Sequence, residues 1–137
     1  MAHRSLRGQL RGLGVSLLLD TCTLLWWLAG HELSPASAQA IAEPDNAVWV
    51  SAASIWEIGI KQSLGKLSAP VDLDSVIDED FEHLSIGFTH CRIAARLPQH
   101  HRDPFGRMLI AQAQAENLTL VTRDDRISSY DVKLLRS

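Results

Sequence analysis

The run from Ser16 to Asp20, three consecutive leucines followed by an acid, constrains the fold more than any other part of the sequence. Because successive strand residues point to opposite faces, three leucines in a row leave no polar face, and we expect a strand that is covered on both sides. Such strands belong to parallel sheets, with helices packed above and below. The sequence therefore predicts a buried parallel strand that carries Asp20 at its carboxyl end.

The rest of the chain alternates between strand and helix patterns. Further strands are predicted at 48–50, 84–88, 118–122 and 132–135, and helices at 21–29, 51–64, 71–83, 89–97 and from Pro104 onward. Strands alternating with helices predict an α/β domain with a mainly parallel sheet. In the helix that Ser51 caps, we place Ala53, Trp56, Glu57, Ile60 and Leu64 on the inner face, since they are spaced by three and four residues.

Length and charge indicate one domain without a strongly basic surface. With 137 residues, the chain suits a single domain over 15–137, and we interpret 1–14 as a basic, flexible tail. The 16 acids exceed the 13 bases, which argues against a bulk-basic nucleic-acid binder. Residues 92–137, however, hold eight bases and five acids, and a local excess of this kind can guide a polyanion. Ordinary solvated helix faces would explain the same pattern.

Neither a membrane span nor a cysteine-based site is expected. Asp20 interrupts the apolar residues near the start, and the uninterrupted stretches are too short to cross a bilayer. Cys22 and Cys91 are too far apart in the sequence for a metal-binding pair. We expect both to be buried, reduced thiols in a cytoplasmic protein.

Four acids occupy positions where a carboxylate is unusual. Asp20 and Asp124 follow strands, Glu57 lies among apolar residues of its helix, and Asp103 begins a helix. Sites in parallel sheets form at the carboxyl ends of strands. Clustered carboxylates need a compensating cation, and their hard oxygens suit Mg2+ or Mn2+, which can activate water and stabilise phosphoryl charge.

Each acid also has an ordinary explanation that the pattern leaves open. Asp20 would serve as a helix cap, and Glu57 would be exposed if the helix face is shifted by one position. Asp124 and Asp125 would be plain turn residues.

Four blocks of the sequence, taken together, indicate a protein family more specifically than the positions of the acids do. They are LLLDTCTLLWWL at 17–28, SAASIWEIGIK at 51–61 followed by LGKL at 64–67, HRDPFGRMLIAQ at 101–112, and LTLVTRD at 118–124. In this order, over about residues 15–135, they resemble the PIN-domain toxins of the VapC type. The resemblance implies a three-layer α/β/α fold and a Mg2+- or Mn2+-dependent ribonuclease, the toxin of a toxin–antitoxin pair. It also implies an RNA substrate, a cognate antitoxin and a homodimer.

The resemblance also implies roles for individual residues. Asp20 would be the central metal ligand, Glu57 a ligand or water-orienting base, and Asp124 a second-side or water-mediated ligand. Thr21 and Thr122 are candidates to orient these carboxylates, although both are equally well explained as strand and cap residues. The candidate RNA contacts are Arg102, Arg107 and Arg123. Apolar residues at 25–28 and 55–64 would form a groove for an antitoxin helix, whereas His100 and His101 are expected in a surface loop, with a phosphate-facing role as the alternative.

One position departs from the family pattern. Where the family has Asp-Pro-Phe-Asp-Arg, this chain has Gly106 in place of the second acid. Asp103 remains but is expected to cap the following helix, which begins with Pro104. We therefore expect an altered metal site, explained by a weak natural variant, an inactivating change, or rescue by Asp103 or Asp125.

Two other functions remain open at this point. One is a catalytically weak module that binds RNA or an antitoxin without efficient cleavage. The other is a phosphotransferase of the haloacid-dehalogenase kind, whose motif also begins with an apolar strand and an acid. That motif requires a second Asp two residues after the first, and Cys22 occupies this position.

Overall fold

A computed structural model of the chain describes residues 14–68 and 72–137. The predicted tail at 1–14 lies outside the described residues except for Gly14. The strands are β1 (Ser16–Leu19), β2 (Ala47–Ser51), β3 (Glu82–Leu84), β4 (Thr119–Thr122) and β5 (Leu134–Arg136). The helices are α1 (Thr21–Leu28), α2 (Pro35–Ala42), α3 (Ala52–Ser63), α4 (Leu73–Asp80), α5 (Phe88–Arg96) and α6 (Pro104–Glu116), with a short 3-10 helix at Asp125–Ser129.

The strands form one parallel sheet in the order β3-β2-β1-β4-β5. Leu18 in the central strand β1 lies opposite Trp49 of β2 and Leu120 of β4. The three leucines of β1 are at most 1% exposed. The predicted buried strand, and the α/β fold with a mainly parallel sheet, are therefore confirmed.

Side chains of β1 point alternately into two cores, one on each face of the sheet. Leu17 and Leu19 pack on one face with residues such as Ile41 of α2 and Ile77 of α4. On the other face, Leu18 packs in a second cluster dominated by α6. Helices thus cover both faces of the sheet, which gives the three-layer α/β/α arrangement.

The strand order reverses direction at β1. The chain passes from β1 to β2 on one side and later returns to β4 on the other. In open parallel sheets, the crevice at such a reversal is the usual ligand site. Because Asp20 follows β1 and Asp124 follows β4, this topology brings the two acids to the same crevice.

Two segments differ from the sequence-based prediction. Helix α2 was not anticipated; it begins at Pro35, and its N-cap Ser34 accepts a hydrogen bond from the Ser37 amide. The strand predicted at 84–88 ends at Leu84, and Phe88 already begins α5. Gly87 precedes this helix, and its N–H donates to His90 Nδ1 at 3.0 Å, which helps to fix the start of the helix.

The buried face of α3 also differs from the expected one. Ala53 and Glu57 are buried as predicted, but Ser54 and Ile58 complete the buried face. The side of the helix that carries Trp56 and Leu64 is open, and these residues are 65% and 62% exposed. The reason is tertiary: α3 is covered by both α1 and α6, and the spacing pattern alone does not reveal this.

Two smaller expectations concern the thiols and the membrane. Cys22 and Cys91 are free, as expected, but exposed rather than buried. Within the two described ranges, no helix is both long and apolar enough to cross a membrane.

Candidate functional site

A cavity of about 220 Å3 opens at the carboxyl ends of β1 and β4. It contains all four acids singled out in the sequence, although they come from separate parts of the chain. The lining residues are Asp20, Thr21, Cys22, Glu57, Lys61, His101, Asp103, Gly106, Leu109, Asp124, Arg126 and Ile127.

Asp20 both caps a helix and lines this cavity. Its Oδ1 accepts the Thr23 N–H at 2.7 Å, as an N-cap of α1, and its Oδ2 accepts the Thr122 hydroxyl at 2.5 Å. Burial raises the pKa of the Asp20 carboxyl, and the nearby charge of Asp124 raises it further, whereas the hydrogen bonds lower it. The carboxylate therefore lies in a site that favours an additional positive charge.

The two candidate threonines have different partners. Thr122 joins two acids, because its hydroxyl donates to Asp20 and accepts the Asp124 N–H at 3.1 Å. The Thr21 hydroxyl, in contrast, donates to Ser54 Oγ at 2.9 Å and ties α1 to α3. Thr122 thus contacts the Asp20 carboxylate, while the described bond of Thr21 is to a serine.

Glu57 is buried in α3, and its exposed alternative is excluded. Residue Glu57 is 8% exposed, and its Oε2 accepts a hydrogen bond from Lys61 Nζ at 2.7 Å. This bond raises the pKa of the Lys61 ammonium. Lys61 is not among the candidates predicted from the sequence, although its position four residues after Glu57 is the spacing of ion pairs on a helix.

Asp124 accepts hydrogen bonds from two cationic or polar side chains. Arg126 donates through Nε and Nη2, each at 3.0 Å, and His101 Nε2 lies 3.1 Å from Oδ2. The Arg126 guanidinium lowers the pKa of Asp124. Asp124 also caps the 3-10 helix through the Arg126 amide, so it is a turn residue and a site residue at once.

His101 is not in a surface loop. It is 2% exposed, its Nδ1 accepts the Asp103 N–H at 3.1 Å, and its own N–H donates to Tyr130 Oη at 2.9 Å. The sequence offered only one signal for it, namely its place two residues before Asp103.

Gly106 lies on the cavity wall, at the position where the resemblance leads us to expect an acid. Asp103 Oδ1 accepts the Phe105 N–H at 3.0 Å, so Asp103 caps α6 as expected. A Cβ atom at position 106 would lie 3.0 Å from His101 Nε2 and 3.5 Å from Asp103 Oδ2. Asp125, the other candidate substitute, is exposed and paired with Arg136 at 2.5 Å, and it is not among the lining residues.

The donor atoms of this cavity suit a hard divalent cation in their chemistry. Carboxylate oxygens are the preferred ligands of Mg2+ and Mn2+, and Asp20 lies in a setting that favours positive charge. Among the residues that the structure describes, however, no group of three or more His, Cys, Asp or Glu side chains is arranged to hold a metal ion. Instead, Lys61 and Arg126 neutralise Glu57 and Asp124.

The expected RNA-contacting arginines lie in different settings. Arg102 is exposed. The Arg107 guanidinium donates to main-chain carbonyls at the end of α5, those of Ala94, Leu97 and Pro98. Arg123 lies over the Trp26 ring at 4.0 Å. The basic side chains that do line the cavity, beside His101, are Lys61 and Arg126.

Comparisons with known proteins agree with this architecture. A family model described as the PIN domain matches residues 17–133. Ribonuclease VapC22 of Mycobacterium tuberculosis is 30% identical over 120 residues, which cover 84% of this chain and 92% of that protein.

Solved structures are similar in fold at lower identity. VapBC2 from Rickettsia felis, bound to a DNA fragment from its promoter, has a TM-score of 0.71 at 17% identity and covers 90% of this chain and 99% of the matched chain. VapBC-5 from Mycobacterium tuberculosis, a member of the VapBC toxin–antitoxin systems, has a TM-score of 0.63 at 22% identity, with 90% and 100% covered.

Proposed function

The chain belongs to the PIN-domain family, and we propose that it is a metal-dependent endoribonuclease, the toxin of a toxin–antitoxin pair. The observation that carries the proposal is the meeting of Asp20, Glu57, Asp103 and Asp124 in one cavity. The relative named as a ribonuclease, at 30% identity over most of both chains, supports the same activity.

Asp20, Glu57 and Asp124 are the proposed ligands of Mg2+ or Mn2+, and Asp103 would join them only by leaving its helix cap. When bound, such an ion supplies activation of water and stabilisation of phosphoryl charge. The chain itself contributes the orientation of the ligands, because Thr122 holds Asp20 and the amide of Asp124 together.

Lys61 and Arg126 are the residues that we propose to meet the RNA phosphates. In the present arrangement each neutralises a carboxylate of the cavity. A divalent ion on those carboxylates would replace both cations as the counter-charge and leave them available to the phosphodiester. Arg102 is exposed and remains a candidate contact, whereas Arg107 and Arg123 would first have to give up the contacts described above.

Gly106 supports reduced activity as a further part of the proposal. The chain has a glycine where the family resemblance implies an acid, and Asp103 is engaged in the helix cap. The same observation favours a second candidate function, a weak PIN module that binds RNA or an antitoxin without efficient cleavage.

The proposed antitoxin partner has a candidate docking surface on α3. Ile55 and Trp56 are exposed beside a groove of about 560 Å3 that also contains Asp74, Asp78 and His83. An apolar groove of this kind suits an amphipathic helix. Residues 25–28, in contrast, pack partly buried against the core and offer less free surface. The homodimer implied by the family resemblance is part of the same proposal.

Cleavage of structured RNA in MnCl2 tests the activity. Asp20→Asn is the informative variant, because Asn still caps a helix, while the carboxylate is lost. Asp125→Asn is the matched control, since that carboxylate lies outside the cavity. We expect cleavage by the native chain and the control but not by Asp20→Asn. Equal cleavage by all three would discard the proposed site, and tight RNA binding without cleavage by the native chain would favour the binding module.

A further inference from the structure

We propose that His101 is a positioning residue for Asp124, and that its ring occupies the space left free by the absence of a side chain at position 106. This inference rests on the proposed function, because Asp124 is one of the proposed metal ligands. It explains why a buried histidine and a buried glycine lie side by side on the wall of the cavity.

The hydrogen bonds of the ring determine where its proton lies. Nδ1 lies within hydrogen-bond distance of the main-chain N–H of Asp103. Because a backbone N–H can only donate, Nδ1 is the acceptor in this bond. In a neutral imidazole, one nitrogen accepts and the other donates. The proton is therefore on Nε2, which donates it to Asp124 Oδ2 at 3.1 Å.

This protonation pattern separates positioning from metal binding. Coordination to a metal requires a free lone pair on the ring nitrogen, and Nε2 carries the proton while the Nδ1 lone pair is engaged. His101 therefore acts through Asp124. Outer partners of this kind fix the orientation of metal-binding carboxylates.

The ring has little freedom to move away. His101 is 2% exposed. Its main-chain N–H donates to Tyr130 Oη, and the Tyr130 hydroxyl in turn donates to Pro98 O at 2.7 Å. A Cβ atom at position 106 would approach the ring to 3.0 Å at Nε2 and 3.3 Å at Cδ2. A side chain at position 106 would therefore force the ring, or its neighbours, to move by a few tenths of an ångström.

His101 also differs from Arg126, the other partner of Asp124. The Arg126 side chain is 65% exposed, whereas His101 approaches Asp124 from the protein interior. If a cation displaces Arg126, the bond from His101 remains and keeps Asp124 directed into the cavity.

Two substitutions separate the two ring nitrogens. The Gln amide reaches the position of Nε2, so His101→Gln retains a donor for Asp124, whereas the Asn amide reaches only the position of Nδ1. We expect His101→Asn to weaken Mn2+ binding about 10- to 100-fold, the range found for outer-shell partners, and His101→Gln to restore most of it. Calorimetric titration with MnCl2, without RNA, measures the affinity, and thermal unfolding reports the folded state.

His90 provides a matched control. Its Nδ1 also accepts a main-chain N–H, that of Gly87, and its Nε2 lies 2.9 Å from Glu116 Oε1. Neither residue lines the cavity. His90→Asn removes the same kind of bond, and we expect unchanged Mn2+ affinity. If His90→Asn lost as much Mn2+ affinity as His101→Asn, or if His101→Gln did not restore the affinity, the proposal would be overturned.

Nitrogen NMR of histidine-labelled protein tests the link without metal. We expect the His101 Nε2–H tautomer, with an Nε2 resonance that shifts in Asp124→Asn but not in Asp125→Asn. An Nδ1–H tautomer would overturn the positioning role. If the native chain binds no Mn2+ although the tautomer is as expected, the proposed metal-dependent function fails, and the His101 bond is reduced to a structural contact.

Discussion

The Thr122 hydroxyl donates a hydrogen bond to Asp20 Oδ2 at 2.5 Å, across 102 residues of sequence. The hydroxyl oxygen of Thr122 also accepts the Asp124 N–H, so one side chain at the end of β4 joins the acids that follow β1 and β4. Thr122 is 4% exposed, and water therefore does not readily take the place of its hydroxyl in these hydrogen bonds. The candidate site thus depends on the pairing of two adjacent strands.

Replacement of Thr122 by Val should destabilise the fold. The variant retains the shape of the side chain but removes the donor to Asp20 and the acceptor for the Asp124 amide. We expect a loss of about 1–3 kcal/mol in the free energy of unfolding, the range for a buried polar group that is left without its hydrogen-bond partner. Urea unfolding measures it. Thr122→Ser keeps the hydroxyl and should remain close to the native value; an equal loss in both variants would assign the effect to packing.

Asp20→Asn should become more stable relative to the native chain as the pH rises, while it removes metal binding. The pKa of Asp20 in the folded chain lies above the ordinary value of 3.8. The protonated carboxyl therefore makes its full contribution to the stability of the fold below pH 3.8, and this contribution is lost as the pH rises through the raised pKa. The amide is never charged, so the melting temperature of the variant should rise relative to that of the native chain over this pH range. Thermal unfolding at several pH values checks this.

Addition of MnCl2 should favour the native chain over Asp20→Asn. Ligand bound only to the folded state stabilises it, so the melting temperature of the native chain should rise with MnCl2, and that of Asp20→Asn should not. A parallel rise in both would show that the ion binds elsewhere.

Gly106→Ala should fail to stabilise helix α6. Ala is favoured over Gly within a helix by about 1 kcal/mol, but the new Cβ would contact the enclosed His101 ring at 3.0 Å. We expect no gain, or a loss, in the free energy of unfolding, and recovery of the gain when His101→Asn is combined with it. The control is Gly59→Ala in α3, where a Cβ meets nothing within 4 Å; it should stabilise. Additive effects at 106 and 101 would contradict the competition for space.

Arg107→Ala should lower the free energy of unfolding and should have little effect on RNA affinity. The guanidinium donates to carbonyls at the end of α5. Loss of these hydrogen bonds leaves the carbonyl oxygens without a donor. We expect a cost of about 1–3 kcal/mol in urea unfolding. Arg102→Ala, at an exposed position, is the control and should leave stability unchanged. Lower RNA affinity of Arg107→Ala at full stability would restore its expected role in RNA contact.

Much of the fold could be predicted because it depends on local pattern. The leucines of β1 identify a buried strand without any knowledge of its neighbours, and Asp103 with Pro104 identifies the start of α6 by the chemistry of helix caps. The face of α3 could not be predicted in this way. Trp56 has the spacing of an inner residue, but the coverage of α3 by two other helices buries Ser54 and Ile58 instead.

The acids themselves were identifiable in the sequence, because a carboxylate beside a buried strand or on an apolar helix face requires a partner. The sequence by itself determined the α/β fold, Asp20, Glu57, Asp103 and Asp124 as candidates, and the glycine at position 106. The tertiary structure alone decided their partners: Lys61 and Arg126 as counter-charges, Thr122 as the link between two strands, and His101 in the space beside Gly106. The physical reason is that burial and hydrogen bonding of a side chain depend on neighbours brought together by the sheet order, and those neighbours are distant in the sequence.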